Sequence, residues 1–194
     1  YVNALLRKVS KDHHNVKFPD IKKNKVESLA ADKSFPSWII ERWLSRYNLD
    51  VTSRLCDAVN SIPPITVRTN RLKTSPQKLM SAIENNVEHL KQTTYSQDGI
   101  LFFNPQTTIP KFKAFKNGWF QVQDEAAQLV SLHLNPQPGE TVLDACAGYG
   151  GKTGHIAQLM KNKGAILASD INPKKLLQLE SEMRRLGVSI VSTQ

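Results

Sequence analysis

The chain has 194 residues, of which 40% are hydrophobic, and its 26 Lys and Arg against 17 Asp and Glu give a formal net charge of +9. This length accommodates one large domain or two small ones, and the composition is not that of a disordered protein. It has no apolar run of the roughly 18 residues that a membrane span needs, and residues 1–7 do not form a signal peptide. Cys56 and Cys146 have neither disulfide nor zinc-site spacing. We therefore expect a cytoplasmic protein without a metal site or membrane contact.

The positive charge is concentrated in one part of the chain. The net charge is +4 over residues 1–60, +5 over residues 61–120 and 0 over residues 121–194. A basic surface favours a polyanionic partner, because Lys and Arg that neutralise phosphates release counterions. The alternative is a merely solvated lysine-rich face, and charge alone does not decide between the two.

Residues 1–62 are predicted to be mainly helical. The first helix has a stripe at the i, i+3, i+4, i+7 spacing of a buried face, formed by Val2, Leu5, Leu6 and Val9. A second helix begins near Pro36, and a third covers residues 51–62 before Pro63 and Pro64 end it. Residues 11–33 lose this periodicity and are predicted to be a mobile connector, with lysines that are solvated or touch phosphates: Lys17, Lys22, Lys23, Lys25 and Lys33.

Residues 63–120 are predicted to form a small α/β domain. Strands are expected at 66–72 and 99–103, and Asn117-Gly118 is typical of a hairpin turn. A helix that starts at Ser75-Pro76 is expected to carry one apolar side, formed by Leu79, Ile83, Val87 and Leu90. The aromatic residues of this segment either stack on RNA bases or form the core of a small domain, and the core is the commoner use.

Residues 121–194 alternate helices and strands. A helix follows Asp124, strands are expected at 141–146 and 165–169, and a third strand begins at 189–191. Helices fill the intervals between the strands. This βαβαβ order predicts a parallel sheet, the first half of a doubly wound, Rossmann-like fold.

A glycine-rich loop between the first strand and its helix is the candidate ligand site. Gly148, Gly150 and Gly151 allow a ligand to approach the backbone, and the following helix offers unpaired N–H groups. Asp170 ends the next strand, where an acid can accept both hydroxyls of a ribose. Together these features indicate a site for an adenosine-containing ligand.

Three ligand classes compete for this loop. A P-loop for triphosphates would need glycine at position 146, where Cys146 stands. A dinucleotide fingerprint would need glycine at position 153, where Thr153 stands. Asp144 at the strand end instead favours S-adenosyl-L-methionine, whose ammonium group an acid can bind. A glycine loop without a ligand is disfavoured, since Asp144, the glycines and Asp170 agree.

Five segments resemble the bacterial 16S rRNA (cytosine-C5) methyltransferases. DACAGYGGKT (144–153) is similar to their cofactor motif, and WFQVQDEAA (119–127) to the element that leads into the cofactor domain. SFPSWIIERWLSRY (34–47) resembles their linker helix, and PPITVRTN (63–70) the start of their small RNA-binding domain. YVNALLRKV (1–9) resembles a late helix of their NusB-like domain.

The resemblance implies three domains, a cofactor and a partner. The domains are residues 1–62, the end of a NusB-like domain with linker helices; 63–120, a small RRM-like α/β domain; and 121–194, the first half of a methyltransferase domain. The cofactor is S-adenosyl-L-methionine and the partner is ribosomal RNA. The implied cofactor contacts are Cys146, Ala147, Gly148, Tyr149, Gly150, Gly151, Lys152 and Asp170. The family usually has proline at the position of Tyr149 and threonine at the position of Gly154.

The resemblance also implies which residues are not catalytic. In the family a cysteine thiolate adds to C6 of cytosine, and it and a second cysteine lie further along the cofactor domain than residue 194. Cys146 is interpreted as a small residue at a strand end and Cys56 as a core thiol, so no catalytic residue is assigned. We expect this chain to be an inactive fragment that, because its sheet is open, dimerises, aggregates or is ordered only as part of a longer polypeptide. The alternatives are a non-catalytic RNA-binding or assembly module and, less favoured, a P-loop NTPase.

Overall fold

The structure is a computed structural model that describes residues 1–15 and 19–194. These residues form two compact units, Tyr1–Ile62 and Pro63–Gln194. Lys17, which the sequence places in the connector, lies outside the described residues. Within the described ranges, no helix is both long enough and apolar enough to cross a membrane.

The first unit consists of α1 (Val2–Asp12), a short 3-10 turn (His13–Asn15), α2 (Lys25–Lys33), α3 (Ser37–Leu44) and α4 (Leu49–Asn60). Its core contains the buried residues Leu29, Ile40 and Cys56, which confirms Cys56 as a core thiol. The connector prediction is wrong over α2. This helix forms because the Asn24 side chain accepts hydrogen bonds from two backbone N–H groups of its first turn and because Leu29 is buried.

Helix α1 is confirmed, but the predicted burial of its apolar stripe is not. Val2, Leu5, Leu6 and Val9 are each more than half exposed. Within the described part of the first unit, nothing covers this stripe. The periodicity therefore predicted the helix correctly but not the partner against which it would pack.

The second unit begins with a four-stranded antiparallel sheet. Its elements are β1 (Ile65–Thr69), α5 (Pro76–Ile83), β2 (Glu88–Gln92), β3 (Gly99–Phe103), α6 (Lys113–Lys116) and β4 (Phe120–Val122), with a 3-10 turn at Ile109–Lys111. The strand order is β2-β3-β1-β4, which is the ferredoxin-like βαββαβ arrangement. The predicted small α/β domain is therefore present. Strand β4 spans the domain boundary predicted at residues 120/121, and the domain boundaries stay predictions.

Two local predictions in this domain are wrong. The helix expected to continue to Leu90 ends at Ile83, because a 3-10 turn (Glu84–Asn86) leads into β2, from which Leu90 still packs on the core. The pair Asn117-Gly118 does not join two strands but ends α6. Gly118 has φ +71°, and any side chain there would overlap the carbonyl oxygen of Arg185.

The aromatic rings of this domain mainly form its core. Phe102, Phe112 and Phe120 are at most 5% exposed and pack with Val67 and Leu79 between the sheet and its helices. This result confirms the core interpretation for these three rings. It also removes them as surfaces on which bases could stack.

The remainder of the second unit is a parallel sheet with helices. Its elements are α7 (Glu125–Leu134), β5 (Thr141–Asp144), α8 (Gly151–Leu159), β6 (Ala165–Ala168), α9 (Pro173–Leu186) and β7 (Val191–Thr193). The strands are parallel in the order β5-β6-β7, as predicted for half of a Rossmann-like fold. Helices α8 and α9 share one core with β6, in which Met160, Ile166 and Leu179 are fully buried. The predicted α/β class is confirmed.

Candidate cofactor site

The glycine loop and Asp170 meet at the carboxyl-terminal ends of the strands of the parallel sheet. The loop joins β5 to α8, and Asp170 lies two residues after the end of β6. Because parallel neighbours end at the same edge, the two segments are adjacent. The backbone N–H of Gly148 donates a hydrogen bond of 2.9 Å to Oδ2 of Asp170.

The second carboxylate oxygen of Asp170 is also held by the backbone. Its Oδ1 accepts a 2.9 Å hydrogen bond from the N–H of Asn172, and Nζ of Lys175 lies 4.0 Å away. These contacts, the Asn172 N–H first among them, lower the pKa of Asp170. Asp170 is therefore an oriented anion, and each of its oxygens retains a lone pair for a ligand hydroxyl.

Gly150 and Gly148 of the loop are glycines for different structural reasons. Gly150 caps α8 at φ +81°, and a Cβ there would lie 2.8 Å from Cγ of Leu179 and 2.9 Å from Cε of Met183. Gly148 has φ +56°, and no atom lies within 4 Å of the position that its Cβ would take. Gly150 is thus required by packing, whereas Gly148 borders open space through which a ligand can reach the backbone.

The other predicted contact residues differ in burial. Cys146, Tyr149 and Lys152 are exposed, while Ala147 is buried and its N–H donates a 2.9 Å hydrogen bond to the carbonyl oxygen of Ser169. Gly151 begins α8 beside them. The loop therefore exposes both glycine backbone and three side chains, and a ligand with a carboxylate can use the backbone N–H groups at the start of α8.

The side chains next to the loop disfavour a P-loop. In such a loop the hydroxyl after the lysine would bind Mg²⁺. Here Thr153 is fully buried, and its hydroxyl donates a 2.7 Å hydrogen bond to Oδ2 of Asp144. Thr153 therefore holds the strand-end carboxylate of the candidate cofactor site instead of facing a nucleotide.

The residue that sequence reasoning missed is Arg68, on β1 of the antiparallel sheet. It is only 1% exposed and donates hydrogen bonds to the carbonyl oxygen of Gly151 (2.8 Å), to Oε1 of Gln121 (2.9 Å) and to Oε1 of Gln123. Burial lowers the pKa of Arg68 to about 9, so the guanidinium is still charged at neutral pH. The signal in the sequence was an arginine inside a predicted strand, between Val67 and Thr69, together with glutamines that alternate at 121 and 123.

His155 on α8 is buried beside this guanidinium. Its side chain is fully buried, and neither ring nitrogen has a hydrogen-bond partner among the described residues. Burial, and secondarily the charge of Arg68, lowers the pKa of His155 to about 3. The imidazole is therefore neutral.

Helix α9 is attached to the small domain by hydrogen bonds to backbone carbonyls. Nδ2 of Asn70 donates to the carbonyl oxygens of Gly118 and Leu186, both at 2.8 Å. Arg185 donates to the carbonyl oxygen of Phe115 at 2.6 Å, and its guanidinium carbon lies 3.8 Å from the centre of that ring. The antiparallel and parallel parts of the second unit are thus joined at several points besides Arg68.

Gly154, one of the two departures from the usual family pattern, has a local packing role. A Cβ at this position would lie 3.2 Å from Cδ1 of Leu186, 3.2 Å from Cε of Met183 and 3.3 Å from Oε1 of Gln121. Such distances are tighter than ordinary contacts. The absence of a side chain therefore lets α8 pack closely on α9 and β4. Tyr149 is the other departure. Its side chain is 57% exposed, so packing does not restrict the residue type at this position.

Two family models match the chain. The model described as "16S rRNA methyltransferase RsmB/F" matches residues 131–194, and the ferredoxin-like domain of the RsmF/B-like methyltransferases matches residues 35–108. The second match covers most of the antiparallel sheet. The first includes the whole glycine loop and Asp170.

Curated relatives are similar over most or all of the chain. A probable ribosomal RNA small subunit methyltransferase B of Bacillus subtilis is 32% identical over 100% of this chain and 42% of its own length. A 28S rRNA (cytosine-C(5))-methyltransferase of Mus musculus is 33% identical over 84% of this chain and 21% of its own length. The chain thus spans about two fifths or less of the length of these relatives.

Solved structures share the fold. The crystal structure of PH0851 is 34% identical, with a TM-score of 0.82 over 91% of this chain and 39% of that one. A methyltransferase homolog protein from Pyrococcus horikoshii is 26% identical, with a TM-score of 0.76 over 88% of this chain and 56% of that one. The order of domains, the glycine loop and these matches agree, and the chain belongs to the RsmB/F family of rRNA methyltransferases.

Proposed function

We propose that the protein to which this chain belongs transfers a methyl group from S-adenosyl-L-methionine to C5 of a cytosine in 16S rRNA, in the cytoplasm. The family uses this methyl donor, and the relatives named above are rRNA methyltransferases. The observation that carries the proposal is the pairing of Gly148 with Asp170, because it sets an oriented carboxylate beside an open stretch of backbone.

The residues of the loop have distinct proposed roles. Asp170 would accept hydrogen bonds from the ribose hydroxyls, and the backbone from Cys146 to Lys152 would hold the methionine part. Asp144, oriented by Thr153, would bind the ammonium group. When bound, S-adenosyl-L-methionine supplies an electrophilic methyl group. This chain's residues bind and orient it.

No residue of the chain is proposed as the nucleophile. Cys56 is buried in the helical unit, and Cys146 lies in the cofactor loop. The thiolate that the family adds to C6 of cytosine follows motifs that this sequence does not contain. We therefore expect no methyl transfer to cytosine from these 194 residues alone, and detecting it would overturn the assignment of roles.

Calorimetric titration with S-adenosyl-L-methionine tests the cofactor site. Asp170→Ala removes the oriented carboxylate and should weaken binding at least tenfold. The matched control is Asp124→Ala, which removes an equal charge from an exposed position at the start of α7 where the side chain makes no capping hydrogen bond. Equal affinities for both variants would contradict the site. Binding of rRNA without any binding of the cofactor would favour a non-catalytic RNA-binding or assembly module.

A further inference from the structure

The face of the antiparallel sheet on which related RNA-binding folds stack bases is largely covered here. In RRM domains, aromatic side chains on the open face of a four-stranded sheet hold two or three bases. In this protein α8 lies over that face, so Arg68 is 1% and Gln121 6% exposed. The aromatic ring of β3 on this side, Phe103, is half-buried with its edge toward His89. RNA bound to this domain must largely use another surface.

The helical side of the same domain carries a cavity of about 560 Å³. Its apolar lining includes Ile83, Phe112 and Trp119, and its polar lining includes Lys111 and Lys113. A second, more open depression next to it shares Trp119 and adds Lys78 of α5. A cavity of this size accommodates a nucleotide.

The charge around both cavities has one sign. The lysines that line them, Lys78, Lys111 and Lys113, are exposed, and none of them forms an ion pair within the described residues. No carboxylate lines either cavity. We call these three lysines with Trp119 the lysine–tryptophan surface. Unpaired lysines around a half-buried indole match single-stranded RNA, which offers phosphates and unstacked bases together.

We propose that the lysine–tryptophan surface binds single-stranded RNA, with a base in the cavity against Trp119 and the flanking phosphates on Lys111 and Lys113. The inference rests on the proposed function, because it names the surface by which the small domain holds the rRNA substrate. This binding mode differs from that of RRM domains, in which bases stack on the open face of the sheet, because here the RNA lies on the side of α5 and α6. A duplex would bind less well, because its bases cannot enter the cavity.

The test measures binding of a fluorescein-labelled single-stranded RNA oligonucleotide by the 194-residue chain at several salt concentrations. Replacing Lys111 and Lys113 by Gln removes two phosphate contacts and should reduce the slope of log K against log salt by about 1.4. The control replaces Lys91 and Lys163 by Gln, an equal loss of charge in the same unit. Lys91 is exposed on β2, on the sheet side, so this pair also tests the alternative face.

Trp119 provides an independent readout. In a chain whose Trp38 and Trp43 are replaced by Phe, the single-stranded RNA should quench the remaining indole fluorescence, and Trp119→Leu should weaken binding about tenfold. A matching duplex should quench less.

The outcomes separate this inference from the proposed function. Absence of RNA binding by the unmodified chain would overturn the lysine–tryptophan surface, whereas loss of cofactor binding in the calorimetric titration is what would count against the proposed function. If the chain binds RNA but the slope of log K against log salt falls only in the Lys91 and Lys163 control, or in neither double variant, only the lysine–tryptophan surface is overturned. If neither double variant changes the slope, an acidic protein is the alternative partner for this surface.

Discussion

Arg68 on β1 and Gly151 at the start of α8 are joined by a 2.8 Å hydrogen bond from guanidinium to carbonyl oxygen. Gly151 ends the glycine loop, so a strand of the small domain fixes one end of the candidate cofactor site. The other end is fixed by Ala147, whose N–H donates to the carbonyl oxygen of Ser169. A substitution in the small domain should therefore change the cofactor site.

Arg68→Met should lower both stability and cofactor affinity. It removes one of the hydrogen bonds to the carbonyl oxygen of Gly151 and leaves the side-chain oxygens of Gln121 and Gln123 without this donor in a buried site, where an unsatisfied group costs about 1–3 kcal/mol. The glutamines can partly adjust, so we expect the free energy of unfolding to fall by about 2–4 kcal/mol. Urea unfolding gives this difference, and calorimetry gives the change in affinity for S-adenosyl-L-methionine.

Arg71→Met is the control for loss of an arginine in the same region. Arg71 is half-exposed and lies 3.5 Å from Asp98, so its pair should contribute less than about 1 kcal/mol. Arg68→Lys should recover only part of the loss, because one ammonium group cannot reproduce the forked guanidinium contacts. If Arg68→Met were as stable as Arg71→Met, the buried hydrogen bonds would not hold the loop.

The two glycines at positive φ in the loop should respond differently to alanine. Gly150→Ala adds both left-handed backbone strain of about 1–2 kcal/mol and a clash with Leu179 and Met183, so it should destabilise strongly. Gly148→Ala adds only the strain, because its Cβ would meet open space. That space is the proposed path of the cofactor, so Gly148→Ala should reduce affinity far more than stability. Thermal unfolding measures the loss of stability, and calorimetric titration measures the loss of affinity for S-adenosyl-L-methionine. A larger loss of stability in Gly148→Ala than in Gly150→Ala would contradict this assignment.

The sequence predicted the cofactor half of the fold well because its signals are local. Glycines end the strand–loop–helix units, and Asn172 and Gly187 cap α9 as their residue types predict. The loop and Asp170 could be paired from sequence because parallel neighbours end at one edge. Strand β2 could not be predicted in this way, because Val87 and Leu90 continue the helical spacing from Ile83 although the backbone has already changed.

The contacts between the two sheets could not be predicted from the sequence. Arg68 and Gly151 are 83 positions apart, and Asn70 and Leu186 are 116 apart. Local propensity carries no information about such pairs. The charge count included Arg68 among the basic residues of the segment 61–120, although the structure buries it under α8.

His155 should make the second unit sensitive to mild acid. Its folded-state pKa of about 3 is below its ordinary value of 6.5, so only the unfolded chain takes up a proton as pH falls from 6.5. Stability is therefore full above pH 6.5 and is lost at about 1.4 kcal/mol per pH unit below it, or about 2 kcal/mol between pH 7 and pH 5.

Replacing His155 by Leu isolates this contribution. The variant should retain its stability at pH 5, whereas His133→Leu, at an exposed position on α7, should keep the pH dependence of the unmodified chain. Urea unfolding followed by Trp119 fluorescence, with Trp38 and Trp43 replaced by Phe, reports the second unit. An unchanged pH dependence in His155→Leu would show that another group causes it.

Leu143 on β5 should promote self-association of the chain. Among the described residues β5 pairs only with β6, and Leu143 is 63% exposed beside its half-buried register partner, Leu167. An open strand edge next to an exposed apolar face is a template for pairing with another copy. Leu143→Lys should therefore reduce the average mass measured by light scattering at increasing concentration. Leu177→Lys, at an equally exposed apolar position on α9, should not, and an unmodified chain that stays monomeric throughout would refute the prediction.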